Sequence, residues 1–404
     1  MSRKLRQSRM AYLLTTFPKT SETFVQREIR GLRRAGLDFD LFTIWGGGSA
    51  FESRPVNQFY LIELVLVPVW LIYWFVRRPR VVTKHLIWMF TRPTSWLNYQ
   101  ETWLGYGFGL VRAQRFVRSY RKVHAGWATM PATAALLIHD LTGLPFSIGA
   151  HAYDIFYRGG DGLLPEKIES AVFTHSSNAA AQSALIERFP DLAEKMYVVR
   201  RSLDPMPVFQ WTGLRNHGEP ESIHFISVGR LIPKKGFDRL IDLIVESERQ
   251  GLDWSLAIVG DGPERVRLEA DIKANHMEER ISLLGGMDYT AVESCYTASD
   301  AFLFAGVVST DGDRDGLPNV IPEAMAVGLP VFAQPAPGVL EAVIDQATGF
   351  LTDFSETGDA VRLIDQALRT DSLGKVVHAA RSWVETAFSV EANSQRLMAL
   401  HLDE

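Results

Sequence analysis

The sequence predicts an α/β protein of two Rossmann-like domains that face a cleft. Its 404 residues are more than one ordinary core accommodates, which favours two domains. In the second half, apolar runs typical of buried strands alternate with segments of helical spacing, as in a parallel sheet with helices on both faces. A stretch rich in Pro, Gly and polar residues, 204–222, marks the boundary between the domains, which we place at 1–205 and 215–378. Ligands of such sheets bind at the carboxyl ends of the strands.

Strands and helices can be placed in order along both halves. Two short buried strands at 10–18 and 39–45 flank a helix that ends at Gly36, a residue type favoured at helix C-terminal caps. Two further strands of the first domain are predicted at 145–150 and 171–177. The second domain has predicted strands, with helices between them, at 223–229, 254–260, 281–286, 300–306 and 330–333.

The charge distribution along the chain is strongly asymmetric. Residues 1–122 hold 20 Lys and Arg against 7 Asp and Glu, whereas the remaining residues hold 22 against 40. A basic half indicates a polyanionic partner, such as phosphate, nucleic acid or an anionic membrane surface; the alternative is that the asymmetry only adds solubility. Because the sequence has no zinc-finger spacing and no recognisable nucleic-acid-binding signature, we expect no nucleic acid partner.

Cysteine content and the N-terminus indicate the compartment. The one cysteine, Cys295, excludes an internal disulfide and suits a reducing environment. The N-terminus is basic, but its apolar run ends before the core of a signal peptide could form. We therefore expect a cytoplasmic protein.

An apolar segment, FYLIELVLVPVWLIYWFVRRPR, begins at Phe59 within a helical insertion predicted near 59–122. Its charge-free part is 13 residues long, whereas a spanning helix needs about 20, so we expect no membrane crossing. Three aromatic residues before the arginines, Trp70, Tyr73 and Trp74, are typical of a helix that lies at a lipid interface. The alternative is a buried helical hairpin, and the surrounding positive charge favours peripheral contact with an anionic membrane.

Aspartates that alternate with other residues precede a glycine turn in the second domain. Asp311, Asp313 and Asp315, followed by a glycine, match the start of a calcium loop. The twelfth position is Pro322 instead of Glu, and a strand precedes the loop, which disfavours calcium. A second interpretation is an Asp-x-Asp pair, Asp311 and Asp313, that holds magnesium or manganese against a diphosphate.

A third interpretation treats residues 315–323 as one unit. The turn Gly-Leu-Pro-Asn opens a helix, whose free N–H groups and dipole offer an anion site. Glu323 lies about one turn inside this helix and Asp315 just outside it. A diphosphate could bind at the helix start, with one carboxylate facing a ribose diol and the other the hydroxyls of a sugar.

Basic residues follow the first strand of the same domain. This strand ends at Gly229, Arg230 follows it, and Lys235 precedes the next glycine turn and a helix. Two cations at the carboxyl end of a strand can neutralise a diphosphate leaving group. Lys234 is the neighbouring alternative, and we favour Lys235 because it borders the glycine.

Two of these segments together resemble a known family. GRLIPKKGFDRLI, 229–241, and DGLPNVIPEAMAVGLPVFA, 315–333, resemble the donor-binding domain of retaining glycosyltransferases of family 4, which have the GT-B fold. FPKTSETFVQREI and GLPFSIGAHAYDIF resemble segments of the branch that builds bacterial surface polysaccharides of the colanic acid and capsule type. The glycine pair that follows the first strand in many relatives is absent, and TTFPKTSET stands in its place.

The resemblance implies a role for each matching residue. Glu323 would bind the nucleotide ribose, and Asp315, in place of the usual glutamate, the donor sugar. Arg230 and Lys235 would bind the diphosphate, and His151 would approach the sugar from the first domain. Further donor contacts, from backbone groups or near the base, would come from Gly229, Leu284, Gly285, Leu317, Pro318, Asn319 and Val320.

The resemblance also implies the reaction. A hexose would move from a nucleoside diphosphate sugar to a hydroxyl of a glycan or of a polyprenyl-diphosphate-linked acceptor, with retention of configuration and without a metal or cofactor. Residues 379–404 would form a helix that crosses back to the first domain. The expected location is the cytoplasm, at the inner face of the cytoplasmic membrane.

Two other functions fit the same features. One is a nucleotide-sugar epimerase of related architecture, which acts on the nucleotide sugar without an acceptor. The other is a non-catalytic nucleotide-binding protein, suggested only by the shorter carboxylate of Asp315.

Overall fold

The computed structural model describes residues 9–19, 22–157, 160–214, 222–308 and 315–402. The chain forms two compact units. The first contains the residues up to Arg201 and those from Asn393 onward, and the second contains Ser202–Ala392. Each unit has its own predominantly parallel sheet, and the predicted α/β class with two Rossmann-like domains is confirmed.

The first unit is built on an eight-stranded sheet with the order β3-β4-β2-β1-β5-β6-β7-β8. Neighbouring strands among the described residues are parallel except β3 and β4. The central strand β1 is buried along its whole length, as expected for a strand covered on both faces. The strands are β1 (Met10–Leu14), β2 (Phe39–Thr43), β3 (Ala50–Phe51), β4 (Arg54–Gln58), β5 (Lys122–Ala125), β6 (Phe146–Gly149), β7 (Thr174–Ser176) and β8 (Met196–Val198).

The helices of the first unit are α1 (Thr23–Arg34), α2 (Val67–Arg77), α3 (Pro79–Thr91), α4 (Trp96–Ser119), α5 (Met130–Thr142), α6 (Ala152–Phe156), α7 (Leu164–Ser170) and α8 (Ala179–Arg188). Two of them, α4 and α5, are in close contact. A Cβ atom on Gly105 of α4 would lie 2.7 Å from the carbonyl oxygen of Met130, and one on Gly109 would lie 3.2 Å from that of Ala134. The two helices pack this closely because both positions lack a side chain.

The apolar insertion forms a helical hairpin, α2 and α3, with one face on the core. Trp74 is buried and its Nε1 donates to the carbonyl of Leu110 at 3.1 Å. Trp70 and Tyr73 are half-buried. The expectation that Trp74 lies at a lipid interface is therefore wrong, because its ring belongs to the inward face. Among the described residues, no helix combines the length and apolar character that a membrane crossing requires.

The second unit is built on a six-stranded parallel sheet with the order β11-β10-β9-β12-β13-β14. Its strands are β9 (Ser222–Val228), β10 (Asp253–Val259), β11 (Ile281–Gly285), β12 (Ala301–Phe304), β13 (Val331–Ala333) and β14 (Phe350–Leu351). Its helices are α9 (Phe237–Arg249), α10 (Arg265–Ala274), α11 (Tyr289–Thr297), α12 (Val320–Val327), α13 (Thr357–Leu368) and α14 (Leu373–Ala387). The last helix, α15 (Val390–Leu402), begins in the second unit and continues into the first.

Candidate active site

Three glycines line the carboxyl edge of the second sheet, at the ends of β9, β10 and β11. Gly260 donates its N–H to the carbonyl of Gly285 at 2.8 Å. Its φ is +149°, and a Cβ there would lie only 1.8 Å from the carbonyl oxygen of Gly229. Because no side chain fits between these strand ends, the backbone itself forms this part of the edge, and a ligand can approach it closely.

The turn after β9 brings two lysines to the end of β12. Gly236 has a φ of +65°, and a Cβ there would lie 2.1 Å from the carbonyl oxygen of Ala305, so the turn requires glycine. Lys235 Nζ donates to Asp315 Oδ2 at 2.6 Å, and Lys234 Nζ lies 3.6 Å from Asp315 Oδ1. Two predicted site residues, Lys235 and Asp315, are therefore in direct contact, and Lys234 joins them.

The lysines set the charge state of Asp315. Burial acts to raise the pKa of this carboxyl, but Lys235 and Lys234 outweigh it and hold the pKa below its ordinary value. Asp315 is therefore ionised at neutral pH, and its charge is matched by two ammonium groups. An incoming anion can compete with this carboxylate for the same lysines.

Glu323 lies in the first turn of α12 and is 8% exposed. Its backbone N–H donates to the carbonyl of Asn319, the N-cap residue. Burial raises the pKa of Tyr296, and the charge of Glu323 adds to this shift, so the phenol and the carboxylate are neighbours. Leu317 and Pro318 before the helix are buried. The remaining predicted residues at this helix start, Asn319 and Val320, are half-buried.

The other predicted residues of the second unit lie on the same edge with different exposure. Arg230 follows Gly229 directly and is exposed, and Leu284 at the end of β11 is 41% exposed. Asp311 and Asp313 fall outside the described residues, so the calcium-loop and Asp-x-Asp interpretations stay predictions.

His151 belongs to the first unit, where it follows β6 and precedes α6. Its backbone N–H donates to Asp154 Oδ2 at 2.9 Å, and the N–H of Ala128 donates to the same oxygen at 3.3 Å. The ring is buried against the indole of Trp127, with centroids 5.0 Å apart. Burial, with the charges of Arg201 and His175, lowers the pKa of His151 well below its usual value, so the imidazole is neutral.

Sequence reasoning missed several side chains beside these positions. Lys234 was set aside, yet it is buried and faces Asp315. Asp154 fixes the backbone at His151 by accepting its N–H. An acidic residue three positions after the start of a helix is a capping pattern, so the sequence already contained a signal for this contact. A buried group of histidines was missed as well, because its members lie on separate elements.

Comparison with known proteins finds a family model that matches most of the second unit. Residues 212–387 match the family model described as glycosyl transferases group 1. The chain is 25% identical over 423 residues to WcaL of Salmonella typhimurium, named as a colanic acid biosynthesis glycosyltransferase, covering 97% of this chain and 99% of WcaL. It is 30% identical over 201 residues to the amylovoran biosynthesis glycosyltransferase AmsK of Erwinia amylovora, covering 49% of this chain and 48% of AmsK. The match to AmsK therefore spans about half the length of that relative.

Solved structures share the fold over nearly the whole chain. HepE of Anabaena, determined in complex with UDP and glucose, superposes with a TM-score of 0.67 at 18% identity, covering 98% of this chain and 100% of HepE. The lipopolysaccharide outer core galactosyltransferase WaaB superposes with a TM-score of 0.65 at 17% identity, covering 98% and 99% of the two chains. These likenesses identify the fold as GT-B.

Proposed function

We propose that the protein transfers a hexose from a nucleoside diphosphate sugar to a lipid-linked glycan acceptor. The match of residues 212–387 to the group 1 glycosyltransferase model supports this proposal. The observation that carries the proposal is the contact of Lys235 with Asp315 at the carboxyl edge of the second sheet. The comparisons do not favour the epimerase or the non-catalytic alternative.

The donor is proposed to bind along this edge through its diphosphate. Arg230 and Lys235 would contact the phosphate oxygens, and the N–H groups at the start of α12 would add donors. Asp315 holds Lys235 in place before the donor arrives and then turns to the sugar hydroxyls. Glu323 would accept hydrogen bonds from the ribose diol. HepE, which has the same fold, was determined with UDP and glucose bound, and this supports a donor of that class.

The proposed chemistry depends on the positive charge of Lys235. As the bond from sugar to phosphate breaks, negative charge develops on the diphosphate, and Lys235 stabilises it more strongly than in the ground state. The acceptor hydroxyl would attack from the side of the leaving group, pass its proton to a phosphate oxygen and so retain the anomeric configuration. For His151, whose imidazole is neutral, a contact with the donor sugar is what the family resemblance implies. No step needs a metal, because Arg230 and Lys235 supply the positive charge.

The acceptor is proposed to bind in a pocket of about 760 Å³ in the first unit. Trp45, which follows β2, and Trp103 of α4 are among its lining residues. The walls are mainly apolar and aromatic, which suits the hydrocarbon of a lipid carrier better than the hydroxyls of a free glycan. Among the described lining residues Glu101 is the one acidic side chain, and burial, with the charge of Asp161, raises its pKa to about 7. The acceptor would place its polar group near this carboxyl.

The insertion is proposed to rest on an anionic membrane. Ile72 and Val76 of α2 are 67% and 76% exposed, on the side of the helix that leaves Trp74 buried. Arg77, Arg78 and Arg80 follow and are exposed. Apolar side chains next to cations are the features of a surface that inserts among headgroups and pairs with their charge. Such contact would deliver a lipid-linked acceptor to the pocket.

The experiment for the central proposal is transfer from labelled nucleotide sugars to an extracted lipid acceptor. We expect one donor to give product, and Lys235→Ala to lower turnover by about 10²- to 10³-fold, as for loss of one charge-stabilising donor. Lys375→Ala removes an exposed lysine of the same unit and serves as the control. Equal turnover by the wild type and Lys235→Ala would contradict the assignment. Conversion of the donor to an epimer without acceptor would favour the epimerase instead.

A further inference from the structure

Four buried histidines gather in the first unit. They are His124 in β5, His151 after β6, His175 in β7 and His401 in α15. The ring centroids of His124 and His175 are 5.3 Å apart, those of His124 and His401 are 4.9 Å apart, and those of His151 and His175 are 5.9 Å apart. The proposed transfer uses His151 alone, so the other three need a separate explanation.

Most ring nitrogens of these three histidines make no hydrogen bond to the described residues. Within the described part of the chain, His124 Nε2 and both ring nitrogens of His175 and His401 are buried without a hydrogen bond. Buried polar atoms are normally satisfied, and unsatisfied ones are costly, so such a concentration indicates a bound species. Since the unsatisfied atoms are imidazole nitrogens, a cation that accepts their lone pairs is a direct solution.

A carboxylate completes a set of metal ligands. Glu28 of α1 accepts a hydrogen bond from the hydroxyl of Tyr12 through Oε1. One ligand atom each from Glu28, His124 and His175 lie within 4.8 Å of one another. Tetrahedral zinc with bonds of about 2.0–2.1 Å needs ligand atoms about 3.4 Å apart, so small side-chain rotations would close the site.

The carboxylate is also held in place from outside the ligand set. The Tyr12 hydroxyl donates to Glu28 Oε1, as partners of metal-bound carboxylates do.

We propose that Glu28, His124 and His175 bind a divalent transition metal ion, with zinc as the best match to two imidazoles and one carboxylate. The ion would join α1, β5 and β7, which are far apart along the chain. His401 is the nearest further imidazole to His124, so a fourth ligand from α15 would tie the end of the chain to the first unit. The proposed transfer uses none of these three ligands, so we assign the ion a structural role.

The test uses the whole chain without a histidine tag, dialysed against a weak chelator, with metal content measured by mass spectrometry. We expect about one equivalent of zinc per chain and a higher melting temperature with zinc than after treatment with a strong chelator. Replacing zinc with Co²⁺ should give the visible absorption of tetrahedral cobalt. These readouts do not depend on transferase activity, so the proposed function can fail while this inference holds.

Variants define the ligand set. Glu28→Gln, His124→Gln and His175→Gln should each lower the bound metal by at least tenfold, whereas His378→Gln, at an exposed histidine of the second unit, should leave it unchanged. Should a ligand variant fail to fold, the cobalt titration of the wild type still decides. Failure of the wild type to retain zinc, with no cobalt spectrum and no change in melting temperature, would overturn the proposal.

Discussion

Lys235 and Asp315 meet although 80 positions separate them. The sequence indicated each residue separately, because both stand beside a glycine turn after a buried strand. Their contact could not be predicted, since it depends on β9 and β12 being neighbours in the sheet. The sequence favours Lys235 over Lys234 because Lys235 borders the glycine, and it gives no sign that both lysines face the same carboxylate.

Replacing Asp315 with Asn should destabilise the protein by about 1–2 kcal/mol at neutral pH, the typical contribution of a partly buried charged hydrogen bond. The folded pKa of Asp315 lies below its ordinary value, despite the opposing effect of burial, because of Lys235 and Lys234. The stabilisation is therefore complete above about pH 5 and is lost as the pH falls through the lowered pKa. Urea unfolding of both proteins at pH 7 and pH 3 measures this. The difference between the two free energies of unfolding should be smaller at pH 3 than at pH 7, and a larger difference at pH 3 would contradict the assignment.

At the scale of elements, the apolar pattern of the hairpin α2–α3 does not decide which of its faces is buried. Its sequence is apolar on nearly every side, so periodicity could not tell which residues face inward. Packing against α4 decides this by burying Trp74 and leaving Ile72 and Val76 exposed. The segment forms a hairpin with one buried face and one exposed apolar face, and the interpretation that it contacts lipid stays a prediction.

The exposed face of α2 gives a prediction about membranes. The double change Ile72→Asp and Val76→Asp should lower binding to vesicles with anionic lipid by tenfold or more, because it removes two apolar side chains and adds two negative charges. Co-sedimentation with anionic and with neutral vesicles measures the change. Val266→Asp alters an exposed valine of the second unit and should have no effect. Wild-type protein that binds neither kind of vesicle would exclude the proposed surface.

At the scale of the whole molecule, the two units should respond to different ligands. UDP, used as a probe of the donor edge, should slow amide hydrogen exchange at 229–236 and 316–323, because these segments would contact the diphosphate and ribose. Lys235→Ala at the same UDP concentration should show little slowing. If UDP slowed exchange only in the first unit, the donor assignment would be wrong.

The fold was predictable because strands and helices alternate with clear apolar patterns. The histidine cluster was not, because Glu28, His124 and His175 come from three elements whose proximity follows from the strand order β5-β6-β7 and the position of α1. The proposed acceptor pocket escaped prediction as well, since Trp45 and Trp103 come to line one pocket only through tertiary packing.

The close contact between α4 and α5, at Gly105 and Gly109, restricts which substitutions could change the proposed acceptor. A Cβ on Gly105 would lie 2.7 Å from a backbone oxygen of α5, so an alanine there would push the two helices apart and shift the pocket residues that α4 carries. At Gly109 the nearest atom would lie 3.0 Å away, so an alanine there would require a neighbour to shift by a few tenths of an ångström. Trp96 and Tyr99, in the first turn of α4, line the pocket and precede this helix contact in the sequence, so substitutions there do not alter it. New acceptor preferences should therefore arise by substitution in that opening turn, while the glycines downstream stay fixed.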